Sequence, residues 1–336
     1  MNLDDFDYEL PESLIAQTPA KPRDHSRLLV YTCKENKTET KHFYDIIDYL
    51  KSGDVIVINT TRVMRARLFG MKGSTKFEIL LHKHLYEHKY EILLKPAKKL
   101  KVGDTITIGN ITATLVSKDP ESGTAIMQFS DTPENLGEMP LPSYIKDNSS
   151  DPNRYQTVYA DKSKEGSAAA PTAGLHWTPE LMEKARKKGV VFCEILLHVG
   201  IGTFRPVKTK DIRDHKMHAE YYEVSKVAAQ IINKAKNENR RIICVGTTSV
   251  RTLESVHAKH GKIMESVGDT DIFIYPGFKF NVTDAVITNF HLPKSTLVML
   301  VSAFLGREKT LELYNFAVRE KFRFFSFGDA CFFMLN

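Results

Sequence analysis

Four histidines lie in loops bordered by small or polar residues. His176 follows Ala168-Ala169-Ala170-Pro171-Thr172-Ala173-Gly174, and His198 precedes Gly200-Ile201-Gly202-Thr203. His218 falls in Asp214-His215-Lys216-Met217-His218-Ala219-Glu220, and His291 in Asn289-Phe290-His291-Leu292-Pro293. An imidazole exchanges its proton near neutral pH, so each could serve as acid or base, with Glu220 as an orienting group or cation partner. Glycine and alanine leave the backbone bare, so Pro171, Thr172, Gly174, Gly200, Gly202 and Thr203 fall where main chain could approach a ligand. Gly246-Thr247-Thr248-Ser249, with Arg251 just beyond, reads as a helix amino terminus whose free N–H groups and hydroxyls suit a carboxylate or phosphate; the alternative is plain capping. Arg323 and Asp329 are charges among phenylalanines in RFFSFGD, either a structural pair or a site pair. The cluster from Asp214 to Glu220 lacks HExxH spacing, and no GxGxxG or GxxxxGK[ST] sequence occurs, so no metal site, dinucleotide fold or P-loop is expected.

The elements that hold these loops alternate helix and strand. Thr178 suits an N-cap, Pro179 a first helical position and Gly189 a stop, predicting a helix over Thr178 to Lys188. Val190 to Val199 follows as a strand, with Glu194 and His198 on the face opposite Val191, Cys193, Ile195 and Leu197. The run DVIVINTT, 54–61, is apolar at consecutive positions and reads as a central strand. Strands are further expected at DIFIY, 271–275, and AVITN, 285–289, and, after a tight turn permitted by Gly246, a helix capped by Thr248 or Ser249 and ended by Gly261. A helix opened by Ser295 and stopped by Gly306 is apolar nearly all round and predicts burial.

Between Val63 and Ser130 the character changes to short strand-like runs with Gly, Asn, Asp or Lys turns and no helical pattern, the signature of a small barrel. The proline-bearing segment 131–154 returns from it. The expected fold class is therefore an α/β main domain with a mixed sheet and flanking helices, residues 1–62 and 151–336, plus a smaller inserted all-β barrel domain with its return linker, residues 63–150. Arg65, Arg67, Lys98 and Lys99 form basic edges of that barrel, suited to RNA backbone or simply to water.

A chain of 336 residues with 42% hydrophobic and 26% charged residues fits a globular protein of about two domains. The net charge of +6 permits a polyanionic partner without requiring one. The amino terminus lacks a signal-peptide pattern and the longest apolar run, Leu297 to Leu305, is too short for a bilayer, so a cytosolic, non-membrane protein is expected. Four widely spaced cysteines point to reduced core thiols, and no exposed heptad argues for more than a monomer.

Taken together, AAPTAGLHWT, LHVGIGTFRPV, MHAE, GTTSVRTLES, ITNFHLPKSTLVMLVSAFLG and RFFSFGDA resemble the ordered signature segments of the S-adenosylmethionine:tRNA ribosyltransferase-isomerases of queuosine synthesis. The likeness runs from FDYELPESLIAQTP and RDHSRLLV through PLPSYI and RYQTVYA to the carboxyl end. It implies S-adenosylmethionine as cosubstrate, with no metal, and tRNA carrying 7-aminomethyl-7-deazaguanine as partner. The ribosyl group would pass to the wobble base, with adenine and methionine leaving and epoxyqueuosine as product. Under that resemblance His176, His198, His218 and His291 form the acid/base pool, with Glu220 and Asp329 as orienters. Pro171, Thr172, Gly174, Gly200, Gly202, Thr203, Gly246, Thr247, Thr248, Ser249, Arg251 and Arg323 would cradle the cosubstrate, and Arg65, Arg67, Lys98 and Lys99 would grip tRNA. A non-catalytic RNA-binding module and an ordinary methyltransferase are the rival readings; the first leaves the loop histidines unused, and the second lacks its glycine-rich first turn.

Overall fold

The computed structural model describes residues 1–336 apart from 121, 143, 148–150, 201–206 and 336. The chain begins with β1 (Arg27–Thr32), β2 (Lys37–His42), the single turn α1 (Ile46–Tyr49), β3 (Val55–Asn59) and β4 (Arg62–Val63). Six strands follow with no α-helix among them: β5 (Arg67–Lys72), β6 (Thr75–Tyr86), β7 (Lys89–Lys95), β8 (Thr105–Ile108), β9 (Ile111–Lys118) and β10 (Ala125–Phe129). They close into an all-antiparallel barrel in the order β10-β7-β6-β5-β8-β9. The α/β pattern then resumes with β11 (Glu165–Ser167), α2 (Pro179–Lys187), β12 (Val191–Leu197), β13 (Glu220–Val224), α3 (Lys226–Asn237), β14 (Ile242–Val245) and α4 (Gly246–His260). It finishes with β15 (Ser266–Thr270), β16 (Ala285–Asn289), α5 (Thr296–Leu305), α6 (Arg307–Arg319) and β17 (Ala330–Met334).

Nine strands make one mixed sheet in the order β15-β13-β12-β3-β14-β16-β17-β1-β2. Its middle is parallel: β12, β3, β14 and β16 all run the same way. Consecutive apolar residues put β3, β14, β16 and β17 at the centre because both faces are covered. Val55, Val57 and Cys244 pack with Ile232, Val250, Leu253 and Val298 under α3 to α5, while Ile56, Ile58 and Ile243 pack with Trp177, Leu181 and Ala185 on the other side. In the barrel the period is two, as at β8, where Ile106 and Ile108 point in and Thr105 and Thr107 out. Fold class and barrel are thus as the sequence pattern predicts.

Two local expectations fail for identifiable reasons. DIFIY is not a strand: the Ile272 N–H goes to the Thr270 hydroxyl at 3.3 Å, which takes the chain off the ladder, and β15 lies just before it. Thr248 and Ser249 do not cap α4. Gly246, at φ +83°, turns the chain so sharply that the helix begins at once, and the Ser249 hydroxyl bonds back to the Val245 carbonyl at 2.9 Å. Among the described residues the amino terminus of α4 is therefore left without a side-chain cap, unlike α2 and α5, which Thr178 and Ser295 cap as predicted, and α3, which Ser225 caps.

His176 belongs to the packing of this fold. Its Nδ1 meets the Ser26 hydroxyl at 2.7 Å and its ring lies 5.1 Å from that of Phe43. Its other nitrogen and the Asn289 amide oxygen form no well-aligned hydrogen bond, although that side chain still favours the protonated ring. Burial, aided by the nearby Arg323 charge, holds its pKa down at about 3, against 6.5 for a free histidine. Burial does the same for His291. Below pH 6.5 the unfolded chain takes up protons that the native rings refuse, so stability present above that pH is lost as pH falls toward 3, by about 1.4 kcal/mol per pH unit and ring. Urea unfolding at pH 7 and pH 5 is therefore expected to show a pH-dependent loss smaller by roughly 2 kcal/mol in His176→Asn than in the parent. An unchanged loss would mean that the native ring takes up its proton in that range.

Candidate active site

The carboxyl ends of β3, β12, β14 and β16 all open on one edge of the sheet, where crevices in α/β proteins bind ligands. Thr60 and Thr61, His198 to Gly200, Gly246 to Thr248, and Phe290 with His291 are the residues that emerge there. They border two adjoining clefts.

The first cleft encloses about 730 Å³ including its open mouth. One wall is the uncapped start of α4, Gly246, Thr247 and Thr248, with Arg251 a turn further in. Arg251 donates one guanidinium nitrogen to Glu220 Oε2, both side chains being at most 7% exposed. Among the described residues its Nε and remaining nitrogen have no hydrogen-bond partner, and neither has the Thr248 hydroxyl. A cation with spare donors beside the positive end of a helix dipole is a seat for an anion. The facing wall is Ala169 to Ala173 with Asn289 and His291. His291 is 6% exposed, its Nε2 lies 2.9 Å from the Thr288 hydroxyl, and its carbonyl accepts the Tyr8 hydroxyl. The ring is neutral at physiological pH because burial lowers its pKa to about 3.

The second cleft, of about 1350 Å³ with its mouth, lies between sheet and barrel. His82, Lys83 and His84 of β6 line one side; Glu165, Gly166, His198, Gly200 and Glu220 line the other. The clefts share Val199, and the ion pair joins them, since Arg251 lines the first and Glu220 the second. Glu220 Oε1 also accepts the Gly200 N–H at 2.9 Å, tying Gly200 to the same pair. His198 stacks on Tyr221 at 5.7 Å, and its Nδ1 meets the Thr61 hydroxyl at 2.8 Å. Burial lowers its pKa, partly opposed by the Glu223 carboxylate.

Of the residues singled out from sequence, Pro171, Thr172, Gly246, Thr247, Thr248, Arg251 and His291 line the first cleft, and His198, Gly200 and Glu220 the second. His176 and His218 line neither: His176 sits in the core packing, and His218 is exposed. Gly174 is small to admit its own chain, because a Cβ there would stand 2.0 Å from the Tyr159 hydroxyl. Ser249 is spent on the α4 backbone. Asp329 accepts the backbone N–H of Arg27 at 2.9 Å and of Arg323 at 2.7 Å, and pairs with the Arg323 side chain at 3.3 Å, which is a structural staple. Gly202 and Thr203 lie outside the described residues. Arg65, Lys98 and Lys99 are exposed, but Arg67 is engaged by Glu78 at 3.1 Å and the Leu141 carbonyl at 2.6 Å. Residues that pattern reading passed over are Asn59, Thr61 and Ser167 at the strand ends and His82, Lys83 and His84 on the barrel. The polar tail of VIVINTT was the available signal for the first two.

Among the described residues no group of three His, Cys, Asp or Glu side chains could hold a metal ion, and no helix is long and apolar enough to cross a membrane. Residues 3–333 match the family model described as queuosine biosynthesis protein. Relatives from Staphylococcus aureus strains JH9 and Newman, each named S-adenosylmethionine:tRNA ribosyltransferase-isomerase, are 54% identical over 340 aligned residues, covering 98% of this chain and 99% of theirs. A crystal structure of S-adenosylmethionine tRNA ribosyltransferase from Thermotoga maritima is similar with a TM-score of 0.58 at 39% identity, covering 98% of this chain and 100% of that one. With its whole length matched and both clefts at the expected edge of the sheet, this chain belongs to the queuosine biosynthesis protein family.

Proposed function

We propose that the two clefts are the cosubstrate half and the RNA half of one active site. The chain is an S-adenosylmethionine:tRNA ribosyltransferase-isomerase. It transfers and isomerises the ribosyl group of S-adenosylmethionine onto the aminomethyl group of 7-aminomethyl-7-deazaguanine at the wobble position of tRNA, releasing adenine and methionine and leaving epoxyqueuosine. The observation that carries the assignment of the first cleft to S-adenosylmethionine is Arg251, buried, half-paired, and set beside the bare amino terminus of α4. The methionine carboxylate is the anion these groups suit, with Thr247 and Thr248 at hand for ribose hydroxyls.

A proton beside a positive sulfur is acidified by that charge. His291, kept unprotonated by burial, is the group in this cleft with a free-base form fully populated at neutral pH. It takes that proton. The second cleft admits the wobble base from the barrel side, and Lys83 and His84 of β6 with exposed Arg65 meet the phosphates around it. Lys98 and Lys99 follow the other end of β7, where they engage RNA further from the reacting base. The charged edge strand β2, with Lys37, Glu39 and Lys41, supports a monomer, since edge charges oppose strand pairing between copies. A tRNA substrate supports the cytosol as the compartment of the reaction.

Incubating the protein with S-adenosylmethionine and tRNA carrying 7-aminomethyl-7-deazaguanine is expected to release adenine and methionine in step with a mass gain on the wobble nucleoside; S-adenosylhomocysteine instead would sink the reading. Arg251→Lys keeps a charge for Glu220 but loses the fork. It should raise KM for S-adenosylmethionine about 10-fold or more while thermal stability stays near the parent's. His291→Ala should lower kcat by about 10²–10⁴ with a smaller change in cosubstrate affinity. Lys83→Glu should weaken tRNA binding and flatten its log–log salt dependence by about 0.7, the value for one single-strand phosphate contact. A salt slope equal to the parent's would remove Lys83 from the interface.

A further inference from the structure

A chain of three hydroxyl and imidazole groups behind the second cleft decides which nitrogen of His198 carries the proton. Ser167 Oγ accepts the Val199 N–H at 2.8 Å, so its own proton must go elsewhere. Ser167 is fully buried, and among the described residues the one acceptor in its reach is Thr61 Oγ1 at 2.8 Å. Thr61, also fully buried, therefore accepts from Ser167 and has one place left for its single proton, His198 Nδ1 at 2.8 Å. The opposite direction would have Nδ1 donate to Thr61 and Thr61 to Ser167, stranding the Ser167 proton in a dry site at a cost of about 1–3 kcal/mol. Every donor is satisfied only when Nδ1 is the acceptor.

We propose that the Ser167–Thr61 relay locks His198 as the Nε2–H tautomer, making it a hydrogen-bond donor that reads a carbonyl oxygen on the tRNA base rather than the base that takes a proton from it. Among the described residues the ring's one hydrogen bond is at Nδ1, and the side chain lines the second cleft. The ring is fixed on both faces. Tyr221 stacks beneath it at 21° between planes, and Gly166 presses so close that a Cβ there would stand 2.6 Å from both Cε1 and Nε2. A neutral imidazole whose lone pair is already occupied at Nδ1 has none to offer at Nε2, so it cannot collect the proton that the attacking amine releases. What it offers is a fixed N–H, which favours a base bearing a carbonyl oxygen at that point and disfavours one bearing an amino group there. Thr61 and Ser167 are positioning residues in this scheme. The inference rests on the reading that the wobble base enters the second cleft.

The test combines a readout that needs no turnover with one that does. Nitrogen-15 NMR of histidine-labelled protein at neutral pH is expected to show His198 protonated at Nε2 and bare at Nδ1, with Thr61→Ser preserving that pattern and Thr61→Val losing it. Kinetically, His198→Gln places an amide N–H near the Nε2 position and should keep tRNA turnover within about tenfold of the parent, whereas His198→Ala should lose tenfold or more, mainly in KM for tRNA. An Nδ1–H tautomer or a charged ring in the parent overturns the proposal, as does a Gln variant no better than Ala. If the NMR pattern holds but His198→Ala leaves both KM and kcat for tRNA unchanged, the donor role falls because the base does not enter this cleft.

Discussion

The Asn59 side chain holds the site open. The ladder between β3 and β12 ends at Asn59 opposite Ile195, and beyond it the two strands would either stay zipped or leave bare polar groups in the core. Asn59 prevents both. Its Nδ2 donates to the Leu197 carbonyl at 2.8 Å, while its Oδ1 accepts the Leu197 N–H at 3.0 Å and the Thr61 N–H at 3.1 Å. One fully buried amide thus replaces three backbone bonds, and the strands diverge without an unsatisfied group. Into the gap come Thr61, Ser167 and His198, the relay behind the second cleft, which His198 lines. An apolar residue of the same size at 59 would leave those backbone groups unpaired, and the carboxyl edge would have to close or rearrange.

The Glu220–Arg251 pair performs the matching task between the clefts. An isolated buried charge is costly, and a pair with both partners fully engaged would have nothing to give a ligand. Here the carboxylate is fully used, by Arg251 and the Gly200 N–H, and the guanidinium only in part. The unspent donors face the cleft that also contains the start of α4. Because Gly200 hangs on the same carboxylate, the wall of the second cleft depends on the ion that serves the first.

The fold was legible because it follows from local periodicity. Consecutive apolar runs at β3 and β16, alternation at β8 and β9, and caps at Thr178, Ser225 and Ser295 each require only neighbours in sequence. The lining of the two clefts was legible only where a residue sits near the carboxyl edge, as His198, His291 and Arg251 do. His176 is the instructive case, because a loop histidine between Leu175 and Trp177 has the same sequence character whether it faces a cleft or Ser26 and Phe43. Gly174 is another, since a glycine admits its own Tyr159 as readily as a ligand. Asp329 looked like a partner for a charged group and proved to be a partner for two backbone N–H groups as well. The meeting of Thr61 with Ser167 could not be found at all, because it joins positions 106 apart in the chain.

The charge state of the whole site follows from its cosubstrate. S-adenosylmethionine brings a fixed positive sulfur, and a protonated imidazole within a few ångströms of it in a partly dry cleft would repel it strongly. Burial lowers the pKa of both His291 and His198, which favours the neutral ring at each before the cation arrives. Among the described residues the one fixed positive side chain of the first cleft, Arg251, is already neutralised by Glu220, and in the proposed arrangement its spare donors meet the other end of the same molecule, the carboxylate. A free carboxylate near the sulfur would bind the cation more tightly, but it would also stabilise the ground state whose charge is lost when the carbon beside sulfur gives up its proton. Neutral imidazoles avoid the repulsion without adding that ground-state attraction, so binding energy is drawn from the carboxylate and ribose and the sulfonium keeps its acidifying power.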